Sequence, residues 1–246
     1  MKKIYDIIKS YKNRKGYFCL IDPDKSTPEI SADNAGIFEK NGADAILVGS
    51  SIMLNDNFDE TIRQIKEKVK IPVIIFPGKF NFVSKYADAI LLLSMVSSRN
   101  PDLLISEQVR SAPLIKKYNL ESIGTGYMLI ESGSLTSVQY MSNSLPIPRT
   151  KPDIAVAHAL AAEFLGMKTI YLEAGSGAKN YVPEKLIIEV KKNITIPLIV
   201  GGGIRNPETA RKVAQAGADI VVTGTIHENG IDQKLIREFA EAIHNS

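Results

Sequence analysis

Ile196–Thr225, IPLIVGGGIRNPETARKVAQAGADIVVTGT, holds one complete structural unit. Pro197–Val200 is a short apolar run ending on Gly201-Gly202-Gly203, and Asn206-Pro207 opens an amphipathic stretch over Pro207–Ala216. A second run, Asp219–Thr223, ends on Gly224-Thr225. Continuous Ile/Leu/Val runs of this length suit parallel strands covered on both faces, and a proline in a helix's first turn forfeits no hydrogen bond. The unit recurs upstream. Gly42-Ala43-Asp44 followed by AILVGSS mirrors Gly217-Ala218-Asp219 followed by IVVTGT, and Ile71-Pro72 with VIIFPG mirrors Ile196-Pro197 with LIVGGG.

Extended outward, the same pattern predicts strands at Tyr17–Asp22, Ala45–Gly49, Pro72–Phe76, Ala89–Leu93, Ser122–Ile130, Thr169–Glu173, Pro197–Val200 and Asp219–Thr223. Helices are predicted at Pro28–Asn41, Asp56–Val69, Pro101–Tyr118, Pro152–Leu165, Pro183–Lys192, Pro207–Ala216 and Ile231–Ile243. Eight such repeats in 246 residues predict one α/β domain over residues 1–246, a (β/α)8 TIM barrel. An open doubly wound sheet would carry G-x-G-x-x-G after its first strand, and that motif is absent. Only Lys79–Asp88 separates the third and fourth strands, so the third helix is expected to be reduced or missing. Glu131–Lys151 is long and rich in Ser, Gly and Pro, in the manner of a lid or binding loop.

Composition excludes several function classes. Apolar residues make up 44% and charged residues 23%, which suits a globular chain. Lys plus Arg (30) exceeds Asp plus Glu (27) by three, too small and too evenly spread an excess for a nucleic-acid binder. The single Cys19 rules out an internal disulfide and, with three scattered histidines, a Cys/His zinc site. No apolar run reaches the roughly 18 residues of a membrane span, and Met1-Lys2-Lys3 does not begin a signal peptide. A soluble, cytoplasmic chain is expected.

In such barrels the active site forms at the C-terminal ends of the strands, and phosphate sites favour the loops after strands seven and eight. Gly201-Gly202-Gly203 and Gly224-Thr225 occupy those two places. Glycines let backbone N–H groups approach a phosphate closely, and a helix N-terminus favours its charge; the plainer alternative is that they only permit tight turns. Asp22 and Asp24, after the first strand, could hold Mg²⁺ against a second phosphate-bearing substrate, or could cap the following turn. Glu173 ends the otherwise apolar sixth strand, with Tyr171 two residues earlier on the same face. It could accept a proton or bind a polyol, or form a salt bridge inside the barrel. Of the histidines, His158 reads as helix packing, His227 could edge the site and His244 lies in the tail. No Ser-His-Asp or Cys-His arrangement is present.

Taken together, LIDPDK (Leu20–Lys25), Gly49-Ser50-Ser51, FPG (Phe76–Gly78), YLEAGSG (Tyr171–Gly177), VGGGIR (Val200–Arg205) and VVTGT (Val221–Thr225) resemble the geranylgeranylglyceryl phosphate synthases. Thr150–Ala155 and AAEFLGM (Ala161–Met167) extend the resemblance over nearly the whole chain, and YLEAGSG is its most specific part. The pattern is closest to that family's larger second group, found in archaea and some bacteria. The resemblance implies a Mg²⁺-dependent prenyltransferase that joins an allylic prenyl diphosphate, geranylgeranyl above all, to the 3-hydroxyl of sn-glycerol 1-phosphate, giving an ether lipid precursor. It implies Asp22 as Mg²⁺ ligand assisted by Ser51, although Gly49-Ser50 stands where Gly-Gly is usual and leaves Ser50 as the alternative hydroxyl. It implies a glycerol phosphate site built from Tyr171, Leu172, Glu173, Ala174, Gly175, Ser176, Gly177, Gly202, Gly203, Gly224 and Thr225. Glu173 would bind the glycerol hydroxyls and help remove the proton, with Asp22 as its catalytic counterpart. The family barrel lacks a regular third helix and assembles as homo-oligomers, dimers or hexamers.

A prenyl tail needs an apolar groove, for which Met95, Val96, Phe80, Tyr127 and Met128 are candidates, with Glu131–Lys151 as cover. Two competing readings remain: a sugar-phosphate isomerase or aldolase, and a non-catalytic phosphate-binding barrel. No lysine lies in Thr169–Glu173 to form a Schiff base, and the presence of both Asp22 and Glu173 speaks for chemistry.

Overall fold

A computed structural model describes residues 3–78, 82–227 and 230–246. The strands are β1 Gly16–Ile21, β2 Ala45–Val48, β3 Val73–Ile75, β4 Ala89–Met95, β5 Glu121–Leu129, β6 Thr169–Glu173, β7 Leu198–Gly201 and β8 Ile220–Thr223. They close into a parallel barrel in sequence order, with β8 returning to β1 through Gly16 opposite Ile220. The helices are α1 Ile4–Ser10, α2 Pro28–Lys40, α3 Phe58–Lys68, α4 Glu107–Lys117, α5 Ser137–Ser142, α6 Pro152–Phe164, α7 Glu184–Asn193, α8 Pro207–Gln215 and α9 Gln233–His244. The expected elements are all present, with ends shifted by a few residues. Among the described residues between β3 and β4 there is no helix, as the short interval predicted. The sequence reading missed two short helices, α1 and α5.

Alternation along the strands sorts the core into two layers. Phe18, Leu47, Ile74, Leu91, Ile123, Tyr171, Ile199 and Ile220 fill the barrel interior. Cys19, Ile46, Ile75, Ile90, Met128, Leu172 and Val221 pack outward against the helices. Because α1 adds Ile4, Ile8 and Tyr11 to the interior cluster, it closes the N-terminal end. Its first amides need acceptors outside the helix, and the Glu121 carboxylate supplies them to Ile4 and Tyr5 at 2.7 and 3.0 Å.

The Gly-Ala-Asp repeat works at this closed end. The Asp44 amide donates to the Tyr17 carbonyl at 2.8 Å while its carboxylate accepts the Tyr17 N–H at 2.9 Å. Asp219 makes the same two-way link to Leu198, and Asp88 to Val73. Each aspartate thus locks the start of one strand to its neighbour. Asp219 is buried, and Lys191 balances its charge at 2.5 Å. Asp219→Ala is expected to cost about 2–4 kcal/mol, since it leaves the Leu198 N–H and the Lys191 cation without their acceptor. An unfolding free energy from urea titration within about 0.5 kcal/mol of the parent, on the scale of an ordinary surface change, would refute this role.

Candidate active site

The open, C-terminal end of the barrel holds a cavity of about 770 Å³ to which all eight strand ends contribute. Its floor is aromatic. The Phe76, Tyr127 and Tyr171 rings lie 5.1–6.1 Å apart, the uppermost part of the interior core.

Glu173 lies beyond Tyr171 on the same inward face of β6 and is only 7% exposed. Its carboxylate accepts the Gly175 N–H at 2.6 Å and a hydrogen bond from the Tyr171 hydroxyl. Among the described residues it has no Lys or Arg partner, so none of them forms the salt bridge that was the alternative. Burial pushes the Glu173 carboxyl up to about 7, and its two hydrogen bonds limit the rise. The Tyr171 and Tyr127 hydroxyls are pushed well above their ordinary range by burial and by the Glu173 charge. A carboxyl that titrates near neutrality, facing a cavity, is suited to receive a proton.

Around Glu173 the chain turns tightly. Gly202 and Gly203 have φ of +83° and +71°, a region that L side chains avoid. A Cβ on Gly202 would also collide with the Glu173 carboxylate. The glycines therefore do permit tight turns, and they also make room for the carboxylate. The amides of Ser176, Gly177, Gly202, Gly203, Gly224 and Thr225 have no acceptor among the described residues. All six residues line the cavity, and the hydroxyls of Ser176 and Thr225 meet at 2.8 Å. Three loops thus bring unpaired N–H groups to one side of the cavity, the composition of an anion cradle.

Asp22 stands three strands away around the rim, at the end of β1. Half-buried, its carboxyl is raised by desolvation, and it accepts the Asp24 N–H at 3.0 Å and the Ser50 hydroxyl at 3.1 Å. Asp24 instead accepts the Leu54 and Asn55 N–H groups, which ties down the loop after β2. The turn-capping alternative therefore holds for Asp22, which caps the turn that follows it, whereas Asp24 pins a distant loop. Ser51 lines the cavity but makes no bond to Asp22; the hydroxyl that reaches it is that of Ser50. No group of three or more His, Cys, Asp or Glu residues clusters among the described residues. One half-buried carboxylate, without an ion-pair partner among the described residues and bonded by the Ser50 hydroxyl, fits Mg²⁺, which takes one or two carboxylates and completes its shell from phosphate oxygens and water.

The remaining expected residues divide. Tyr171, Glu173, Gly175, Ser176, Gly177, Gly202, Gly203, Gly224 and Thr225 all line the cavity. Leu172 and Ala174 are buried in the layer between strands and helices, so only their neighbours reach the site. Of the groove candidates, Met95 and Tyr127 line the cavity, Met128 and Val96 pack in the outer layer, and Phe80 lies outside the described residues. Within Glu131–Lys151, α5 turns Ser137, Val138, Met141 and Ser142 to the cavity, while Thr136 fits against the bare Cα of Gly175. Val138 and Met141, three residues apart, were the sequence signal for this helix. Also missed were Leu103 and Gln108, which reach the cavity because a π-helical turn, Asp102–Ser106, precedes α4. The histidines sit elsewhere: His158 is on the outside of α6 near Arg99, His244 pairs with Asp44, and His227 is buried behind β8 rather than at the site's edge.

The PcrB family pattern matches residues 6–243. The chain belongs to the PcrB family. Geranylgeranylglyceryl phosphate synthase of Methanosphaera stadtmanae is 49% identical over 95% of this chain and 96% of its own length, and that of Chitinophaga pinensis 46% over 98% and 96%. The crystal structure of (S)-3-O-geranylgeranylglyceryl phosphate synthase from Thermoplasma acidophilum, in complex with sn-glycerol-1-phosphate, superposes with a TM-score of 0.95 at 36% identity over the full length of both chains. The resemblance read from the motifs is thereby borne out, and this PcrB-family chain is an enzyme of the prenyltransferase class. No helix among its described residues is long and apolar enough to cross a membrane.

Proposed function

We propose that the chain catalyses Mg²⁺-dependent transfer of a prenyl group, geranylgeranyl above all, from its diphosphate to the 3-hydroxyl of sn-glycerol 1-phosphate. The reading is carried by one juxtaposition: Glu173, buried with no cation beside it among the described residues and raised to about 7, adjoins a set of amides that have no acceptor among those residues, in the cavity that also contains Asp22. The amides of Ser176, Gly177, Gly202, Gly203, Gly224 and Thr225 hold the acceptor's phosphate. That anchor brings the glycerol hydroxyl to Glu173.

The allylic C–O bond breaks and its electron pair leaves with the diphosphate. The glycerol 3-oxygen forms the new ether bond, and its proton passes to the Glu173 carboxylate. Asp22, with Ser50 or Ser51, would hold Mg²⁺, which when bound supplies positive charge for the departing diphosphate. Anchoring both reactants in one cavity replaces a random encounter with a positioned one. Water would quench the electron-poor carbon, and α5 with Val138 and Met141 covers that side. The Phe76, Met95, Leu103 and Tyr127 side chains offer an apolar wall to the tail.

The test is incubation with labelled sn-glycerol 1-phosphate, Mg²⁺ and prenyl diphosphates of several lengths. A labelled ether lipid is expected at one length or more; none at any length sinks the reading. The expected homo-oligomer is checked by light scattering, where a monomeric mass refutes it.

A further inference from the structure

Behind the anion-facing turn lies a buried polar cluster that the proposed reaction does not use. Tyr17 of β1, Thr223 at the end of β8 and His227, last residue of the 3-10 turn Thr225–His227, are 0%, 2% and 6% exposed. The Tyr17 hydroxyl lies 2.9 Å from Thr223 Oγ1 and 3.2 Å from His227 Nε2, and these last two atoms are 3.0 Å apart. Phe38 and Phe239 enclose the imidazole at 5.1 and 6.1 Å between ring centroids. With the ring proton on Nδ1, Tyr17 can donate to Thr223 and Thr223 to His227 Nε2, which satisfies both hydroxyls.

The cluster grips both ends of one turn. Thr223 precedes Gly224-Thr225 and His227 follows, and the His227 N–H donates to the Gly224 carbonyl at 2.8 Å. Between these fixed points lie two of the unpaired amides and the Thr225 hydroxyl that meets Ser176. We propose that the Tyr17–Thr223–His227 hydrogen-bond chain positions the Gly224-Thr225 turn for binding a phosphate monoester. This rests on the reading of the cavity as a phosphate site. The three are positioning residues: Tyr17 and His227 lie outside the cavity lining, and Thr223, whose residue does line the cavity, spends its hydroxyl on the other two.

The experiment measures inorganic phosphate affinity by calorimetry, and KM and kcat with both substrates, in Tyr17→Phe, Thr223→Val and Thr223→Ser. In Tyr17→Phe and Thr223→Val, the phosphate Kd and the KM for sn-glycerol 1-phosphate are expected to rise about tenfold, the worth of one hydrogen bond. Neither kcat nor the KM for the prenyl diphosphate should change more than about twofold, and Thr223→Ser, which keeps the hydroxyl, should behave as the parent. A lowered Tm with unchanged phosphate affinity would mean that the cluster only supports the core, and would overturn the proposal. Should Thr223→Val fail to fold, Tyr17→Phe, which removes a single oxygen, decides alone. If the parent makes no ether lipid but Tyr17→Phe still weakens inorganic phosphate, the functional reading fails while the positioning role stands.

Discussion

Glu173→Gln is expected to lower kcat/KM for sn-glycerol 1-phosphate by about 10²–10⁴, the usual worth of a positioned general base. Glutamine keeps the volume and an oxygen for the Gly175 N–H, but it cannot take a proton at working pH. Binding of the prenyl diphosphate should therefore be unaffected. In the parent enzyme the rate should climb as pH rises through about 7, where the buried carboxyl loses its proton, and the glutamine variant should lack that inflection. Stability should move the opposite way. The folded carboxyl titrates at about 7 against an ordinary 4.5, so the folded state holds the proton more tightly than the unfolded chain does. This group's penalty is absent below pH about 4.5 and grows to at most about 3 kcal/mol as pH rises past 7. At pH 8 Glu173→Gln should then melt higher than the parent while turning over far more slowly. Unaltered kinetics across the pH range would remove Glu173 from the reaction.

The same residue illustrates what a sequence makes legible. An acidic residue closing the apolar run TIYLE marked both a strand end and a site, because a carboxylate in that position is too costly to bury without a use. Strand order was legible because eight apolar runs with short helical spacers permit little but a closed parallel barrel. The Gly-Ala-Asp repeat announced repetition, but its purpose needed coordinates: only the register shows Asp44, Asp88 and Asp219 bonding to the first or second residue of a neighbouring strand. Ends and short elements escaped for a related reason. Helix α5 draws its stability from packing over the cavity rather than from Ser-Val-Gln-Tyr-Met-Ser itself, and a six-residue helix carries almost no propensity signal. The π-helical turn before α4 is accompanied by a bond from the Gln108 side chain to the Leu103 carbonyl, a contact that residue spacing does not encode. His227 was misplaced because position alone does not reveal which side of a strand a following turn will face.

Glu173 and Asp22, two of the charged residues that line the cavity, have different tasks in the proposed reaction, and their surroundings differ accordingly. Glu173 is enclosed, so its proton affinity is raised to the range where exchange at neutral pH is easy. Asp22 is only half-buried, and the Asp24 N–H, the Ser50 hydroxyl and the Lys25 charge oppose the effect of burial. A carboxylate kept that way is suited to remain ionised and hold a cation. The amides left without an acceptor among the described residues add a third element, which in the proposed reaction would bind an anion without any titratable group and so without pH dependence of its own.

Asp22→Asn isolates the second task. Asparagine retains an oxygen for the Asp24 N–H, and the Ser50 hydroxyl, which can donate to the Ile52 carbonyl, can accept from the new amide group instead, so the loop after β1 should keep its shape. What is lost is the negative charge, and with it the hold on Mg²⁺ opposite the diphosphate. Turnover at fixed Mg²⁺ is expected to fall about 10³-fold, some 4 kcal/mol, in line with several kcal/mol of charge stabilisation at the departing group. Calorimetric binding of the prenyl diphosphate in Mg²⁺ should weaken about tenfold or more, a loss of at least one strong charge-assisted contact. Affinity for sn-glycerol 1-phosphate should stay within about twofold, because the amides that hold it belong to the loops after β6, β7 and β8 and no hydrogen bond joins them to Asp22. Loss of both affinities together would make Asp22 a scaffold residue instead. Single Ser50→Ala and Ser51→Ala variants complete the test: the hydroxyl that assists Asp22 is the one whose removal raises the Mg²⁺ concentration needed for half-maximal rate, and the distance to Asp22 favours Ser50.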